Sequence, residues 1–291
     1  MVTGGLGCGR VGAAMRFAML LLLLLVWRLG ADDRVAERAG SGGEVGKATK
    51  EAPFWNSLGM EFVPVKGAAG VLWSRWETRV QDYGVCCKET GREHEAPDFP
   101  QGEDHSVVMV SFEDAVAFCG WLSKNEGRRY RLPTDHEWSV AVGIGDREDA
   151  KATPESKDEK IAGVYPWGGV WPPPLKCGNY DEAMKVDSFE GTSPVGRFAP
   201  TADGLYDLGG NVWEWCDTDF VPGQHWKVLR GASWLLGGKA DFLSSARSPF
   251  APAERYVSYG FRVVLEAGGG GGARGGAKGD EHIKEFEMEP N

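Results

Sequence analysis

Apolar residues recur at helical spacing most clearly in one stretch. Ala115, Phe118, Cys119 and Leu122 fall at i, i+3, i+4 and i+7 behind the pair Ser111 and Asp114. That pair is a capping box: the hydroxyl accepts from an orphan amide while the acid three residues on reaches back. Thr78 with Gln81 predicts a shorter helix with Val80, Tyr83 and Cys87 on one side, stopped by Gly91. Thr134 with Glu137 predicts a third, directly after Pro133. Apolar runs predict short strands over Met60–Val65, Val71–Trp76, Val107–Val110, Val228–Leu229 and Phe261–Leu265. From Gly143 to Gly204 almost nothing is periodic, and no solenoid-type repeat occurs. The pattern is α+β with long ordered loops, which need something besides backbone hydrogen bonding to hold them.

The ends differ from this middle. Arg10 and Arg16 precede an apolar run, Phe17 to Trp27, that includes six consecutive leucines. Such a run is too short for a stable membrane span, which takes about 20 residues, so residues 1–31 read as an export signal with no stable membrane anchor. Residues 32–52 are polar and Gly-rich, a flexible linker, and residues 267–291 form a Gly-rich, mixed-charge disordered tail. One domain remains, 53–266. The expected localisation is periplasmic or extracellular.

Composition sharpens this. Lys and Arg total 32 against 42 for Asp and Glu, a net charge of −10, with no basic stripe. Nucleic acid is thereby excluded as the expected partner, because phosphate binding needs clustered cations. Gly (42 residues) and Trp (12 residues) are over-represented, which fits loops held by large aromatic plates. Five cysteines follow Cys8, none with metal-ligand or disulfide-framework spacing, and they read as small buried hydrophobes. The five histidines are scattered, and neither a nucleophile elbow nor a phosphate-binding glycine loop is present.

Two acidic loops carry the candidate chemistry. In Gly204–Trp215, Glu214 lies between Trp213 and Trp215, and Asp207 stands seven residues upstream across Gly209 and Gly210. A carboxylate buried among aromatic rings needs a partner, unless it simply faces solvent from an aromatic strand. Calcium, which takes carboxylate and main-chain oxygens, is one; Arg230, Arg247 or Arg262 is another. Gly178–Glu182 with Asp187–Val195 is the second loop able to form an oxygen cage, or an ordinary polar loop.

In chain order, Asn56–Pro64, Trp76-Glu-Thr78, Val110-Ser111 with Phe118-Cys119, Tyr130–Thr134 with Glu137-Trp138, Tyr165–Gly168, Gly204–Trp215, Arg230-Gly with Ser233-Trp234 and Gly260–Arg262 resemble the formylglycine-generating enzyme family, also called sulfatase-modifying factors. The resemblance covers essentially the whole domain. It implies an α+β fold, a C-type-lectin-like variant poor in regular secondary structure, with two Ca²⁺ ions in its loops. Carried over by position, one calcium falls on the side chains of Asn179 and Asp187 with the carbonyls of Tyr180 and Phe189. The other falls on Asp207 and Glu214 with the carbonyls of Gly210 and Val212.

Enzymes of this family oxidise a substrate cysteine to formylglycine with copper held by two cysteines, in the loop after the Gly-Ser-Trp/Tyr motif. Here that loop, Leu235–Ser245, has no cysteine, and none follows Cys216 in this sequence. Counting forward from Ser233 puts Leu236 and Asp241 at those places; counting back from Arg247 puts Trp234 and Lys239 there. Cu(I) prefers thiolates, so no copper is expected. The resulting expectation is a binding or scaffold module for a peptide, glycan or protein ligand, with Trp234, Leu236, Lys239, Asp241 and Arg247 about its cleft. The alternative is an enzyme of cysteine-independent chemistry in the same cleft.

Overall fold

A computed structural model describes Met1 and residues 43–268. The signal-like segment, most of the linker and nearly all of the Gly-rich tail lie outside the described residues. Residues 43–52, read above as linker, lie on the domain. Val45–Lys47 form a 3-10 turn, Lys50 Nζ donates to the Ala202 carbonyl at 2.9 Å, and Arg75 donates to the Lys50 carbonyl.

Helix α1 (Val80–Thr90) begins one residue later than the Thr78 signal implied. Thr78 is fully buried: its amide donates to the Phe261 carbonyl and its carbonyl accepts from Val107, so it belongs to an extended segment. Asp82 instead accepts from the Arg79 amide at 3.1 Å, and Gly91 ends the helix at φ 71°. Helix α2 (Phe112–Glu126) follows its capping box, and all four stripe residues are buried. Helix α3 (Asp135–Ala141) has Thr134 and Glu137 as its reciprocal cap, and α4 (Pro154–Lys157) is a single turn.

Among the described residues nine short strands form two sheets. The strands are β1 (Phe54–Trp55), β2 (Glu61–Pro64), β3 (Val71–Ser74), β4 (Tyr130–Arg131), β5 (Trp213–Asp219), β6 (Lys227–Arg230), β7 (Ser248–Phe250), β8 (Tyr259–Gly260) and β9 (Val264–Glu266). One sheet has the order β1-β2-β3-β9-β4 and the other β7-β6-β5-β8. The last strand therefore sits between β3 and β4, tying the two ends of the domain together. Val107–Val110 is not a strand: Met109 has φ 58°, which breaks the extended run, although Val107, Val108 and Val110 are buried. The segment without periodicity is braced by aromatic rings. Tyr165 stacks on Trp167 at 5.1 Å, and Phe242 packs edge-on to Tyr180 at 4.8 Å. No helix among the described residues is long and apolar enough to cross a membrane.

Candidate functional site

The four residues of the first predicted calcium set come together. Asp187 accepts from the Tyr180 amide through Oδ2 and from the Phe189 amide through Oδ1, both at 2.9 Å. Asn179 is fully buried; its Nδ2 donates to the Gly191 carbonyl at 2.8 Å, while its Oδ1 has no hydrogen-bond partner. A buried amide oxygen without a donor costs about 1–3 kcal/mol, and a cation at that oxygen would remove the cost. This set fits calcium.

The second set is arranged differently. Glu214 projects from β5 and receives Arg262 on both oxygens, at 2.6 and 2.7 Å, with the Trp138 indole at 3.0 Å on Oε2. Of the alternatives open in the sequence, Arg262 is its partner. Asp207 has φ 59°, and its Oδ2 accepts from the Gly196 amide at 2.7 Å, leaving the buried Oδ1 without a partner. Burial pushes the Asp207 carboxyl up to about 6, against the Gly196 amide and the Arg262 charge. Val212 is buried and Gly210 donates to the Gly231 carbonyl at 2.7 Å. Glu214 is committed to a guanidinium, so of the side chains in this set only Asp207 keeps a buried oxygen without a partner, as Asn179 does in the first.

Two residues outside the predicted sets connect them. Asn211, at φ 60°, donates to Ser106 Oγ at 2.8 Å and accepts from the Ser193 amide at 2.9 Å and from Asn179 Nδ2 at 3.2 Å. Glu77 accepts from Ser106 Oγ at 3.0 Å; burial, reinforced by Asp207, pushes its carboxyl well above the ordinary range. Asn211 lay within the Gly204–Trp215 stretch and Glu77 within Trp76-Glu-Thr78, but neither showed a partner in sequence. A Cβ on Gly210 would lie 2.5 Å from the Asn179 carbonyl oxygen, so glycine lets the two loops touch. Among the described residues no three His, Cys, Asp or Glu side chains are grouped to hold a metal. A metal at the first set would therefore draw on one carboxylate, Asp187, together with amide and main-chain oxygens.

The expected cleft is only partly as drawn from sequence. Trp234 and Leu235 line a depression of about 480 Å³ with Asp181, Glu182, Lys185 and Glu190. Trp234 is fixed by its indole nitrogen on the Val257 carbonyl at 3.2 Å and by Phe99, edge-on at 5.2 Å. Leu236 is half-buried, and its carbonyl accepts from the Asp181 amide at 3.0 Å. Lys239 is exposed and outside the lining; Asp241 folds back on Gly238, and burial raises its carboxyl. Arg247 does not line the cleft. Its side chain is buried, with Nε on Asp135 at 2.8 Å and Nη2 on Glu148 at 2.7 Å. A guanidinium inside a protein goes where carboxylates are, and both of these lie about a hundred residues away in sequence.

Residues 46–267 match the family model described as the sulfatase-modifying factor enzyme 1-like domain. This chain belongs to that family. The mouse protein named inactive C-alpha-formylglycine-generating enzyme 2 is 38% identical over 172 residues, 56% of this chain and 49% of that one. A bovine formylglycine-generating enzyme is 30% identical over 254 residues, 77% of this chain and 54% of that one. This sulfatase-modifying-factor domain thus spans about half the length of these relatives. Its fold matches the structure of PvdO from Pseudomonas aeruginosa with a TM-score of 0.54 at 24% identity, over 77% of this chain and 87% of that one. The mixed α+β architecture with little regular secondary structure is the family's fold.

Proposed function

We propose that this sulfatase-modifying-factor domain is an exported binding module without formylglycine-generating activity, stabilised by calcium at the first loop set. The observation that carries the reading is the Leu235–Ser245 loop. Where the family resemblance places two copper-binding thiols, this loop has none, and beside it stands the open depression around Trp234. Similarity to a relative named inactive supports the same reading. Asn179 and Asp187, with the carbonyls of Tyr180 and Phe189, would hold the ion, and its role there is to clamp two loops.

The walls of the depression support one class of ligand. Three carboxylates against one ammonium, around a fixed indole, suit a cationic side chain of a peptide, which gains from both the acids and the ring face.

Two experiments test this. Incubating the protein with copper and a Cys-x-Pro-x-Arg peptide should leave the peptide mass unchanged; conversion to the aldehyde would overturn the loss of oxidase chemistry. Titration with an Arg-containing peptide and its citrulline analogue should show preference for the charged form. Trp234→Ala should weaken that binding roughly tenfold, within the range for a lost cation–ring contact. Equal affinity for both peptides would remove the cationic ligand from the proposal.

A further inference from the structure

A second pocket, of about 450 Å³, shares Phe189 with the Trp234 depression but carries the opposite charge. Lys176 and Arg197 both line it and both are exposed. Among the described residues neither has an ion-pair partner. The rings of Phe189 and Phe198 meet at 81° with centroids 6.3 Å apart, two half-buried apolar walls beside the two cations. Ser188 adds a hydroxyl to the lining. One carboxylate, Asp187, is also there, but its oxygens accept the amides of Phe189, two residues on, and of Tyr180, seven residues back. In a chain of net charge −10, two cations without an ion-pair partner among the described residues, over an aromatic pocket, are a local reversal of the overall field.

We propose that this pocket binds an aryl carboxylate, the carboxylate between Arg197 and Lys176 and the ring against Phe189 and Phe198. Arg197 can offer a planar pair of N–H donors to the two carboxylate oxygens, Lys176 a point charge, and the perpendicular rings an edge and a face for an aromatic body. The same chemistry is presented by a free aryl acid and by a peptide whose last residue is aromatic. The proposal stands on its own residues and does not require the Trp234 depression to bind anything.

The test uses the full chain in calcium-containing buffer. Isothermal titration with 3-phenylpropionate, and separately with a short peptide ending in free Phe, distinguishes the two sources; binding of either supports the pocket. The amides of both probes should bind at least threefold more weakly. Affinity should fall as NaCl rises from about 50 to 300 mM, because exposed cations are screened. Arg197→Gln and Lys176→Gln should each weaken binding roughly three- to tenfold, Arg197→Lys less, all with unchanged thermal midpoints since both side chains are exposed. Trp234→Ala should leave the affinity unchanged. Acid and amide binding equally, indifference to the double Arg197→Gln, Lys176→Gln variant, loss of binding in Trp234→Ala, or no binding by either probe would each overturn it.

Discussion

Asp135 is buried at the start of α3 beneath three cations. Lys157 Nζ lies 2.7 Å from Oδ2, Arg247 Nε lies 2.8 Å from Oδ1, and Arg230 also donates to Oδ1. Burial alone would raise its carboxyl, but the Arg230 and Arg247 charges outweigh that and hold it well below the ordinary carboxylate range. The folded state therefore binds this proton less readily than the unfolded chain. The stability it contributes is complete above about pH 4, the unfolded value, and is lost as the pH falls. Asp135→Asn should cost about 3–5 kcal/mol, the range for breaking a buried ion pair, read by urea denaturation at pH 7. The loss should shrink in acid; an unchanged loss at pH 3 would contradict the assignment. Glu214 supplies a second case. If its work is to neutralise Arg262, Glu214→Gln should destabilise the protein by about 3–5 kcal/mol equally with calcium and with chelator. A penalty confined to calcium buffer would return Glu214 to the ion.

At the scale of elements, caps were legible where they are local. Ser111 with Asp114 and Thr134 with Glu137 cap as their spacing implies, because a capping box involves four consecutive residues and no distant partner. Thr78 failed for a tertiary reason: Phe261 and Val107 claim its backbone, and the helix starts at the next opportunity. Ser111→Ala should cost about 1 kcal/mol in chemical denaturation, the usual value of an N-cap hydroxyl. The turn at Gly210 is more demanding, with φ 103° and the Asn179 carbonyl where a Cβ would go. Gly210→Ala should destabilise by more than about 1–2 kcal/mol and weaken calcium binding together, since the same displacement moves Asn179. Stability lost with calcium affinity intact would separate the turn from the ion.

At the scale of the molecule, the long segment from Gly143 to Gly204 is held by aromatic contacts and by the Asn179–Asn211–Glu77 network rather than by regular structure. Asn179 Oδ1 is the loose end of that network. Chelation should therefore lower the thermal midpoint, and Asn179→Ala or Asp187→Ala should remove most of the chelator's effect. A midpoint indifferent to chelator in the unmutated protein would exclude the calcium clamp.

Read alone, the chain specified its elements through local chemistry: the α2 stripe, two capping boxes, Gly91 as a stop, and ordered motifs sufficient to mark its family. It also showed that the loop after Trp234 has no thiol, because the presence of a residue type needs no coordinates. Only the tertiary structure decided which charges meet. Arg262 rather than Arg230 or Arg247 takes Glu214; Arg247 leaves the cleft for Asp135 and Glu148; and Lys176 and Arg197 come to one pocket. Ion pairing carries no sequence period. A carboxylate finds its partner through where the backbone brings it and how much water is left there, and both are properties of the packed molecule.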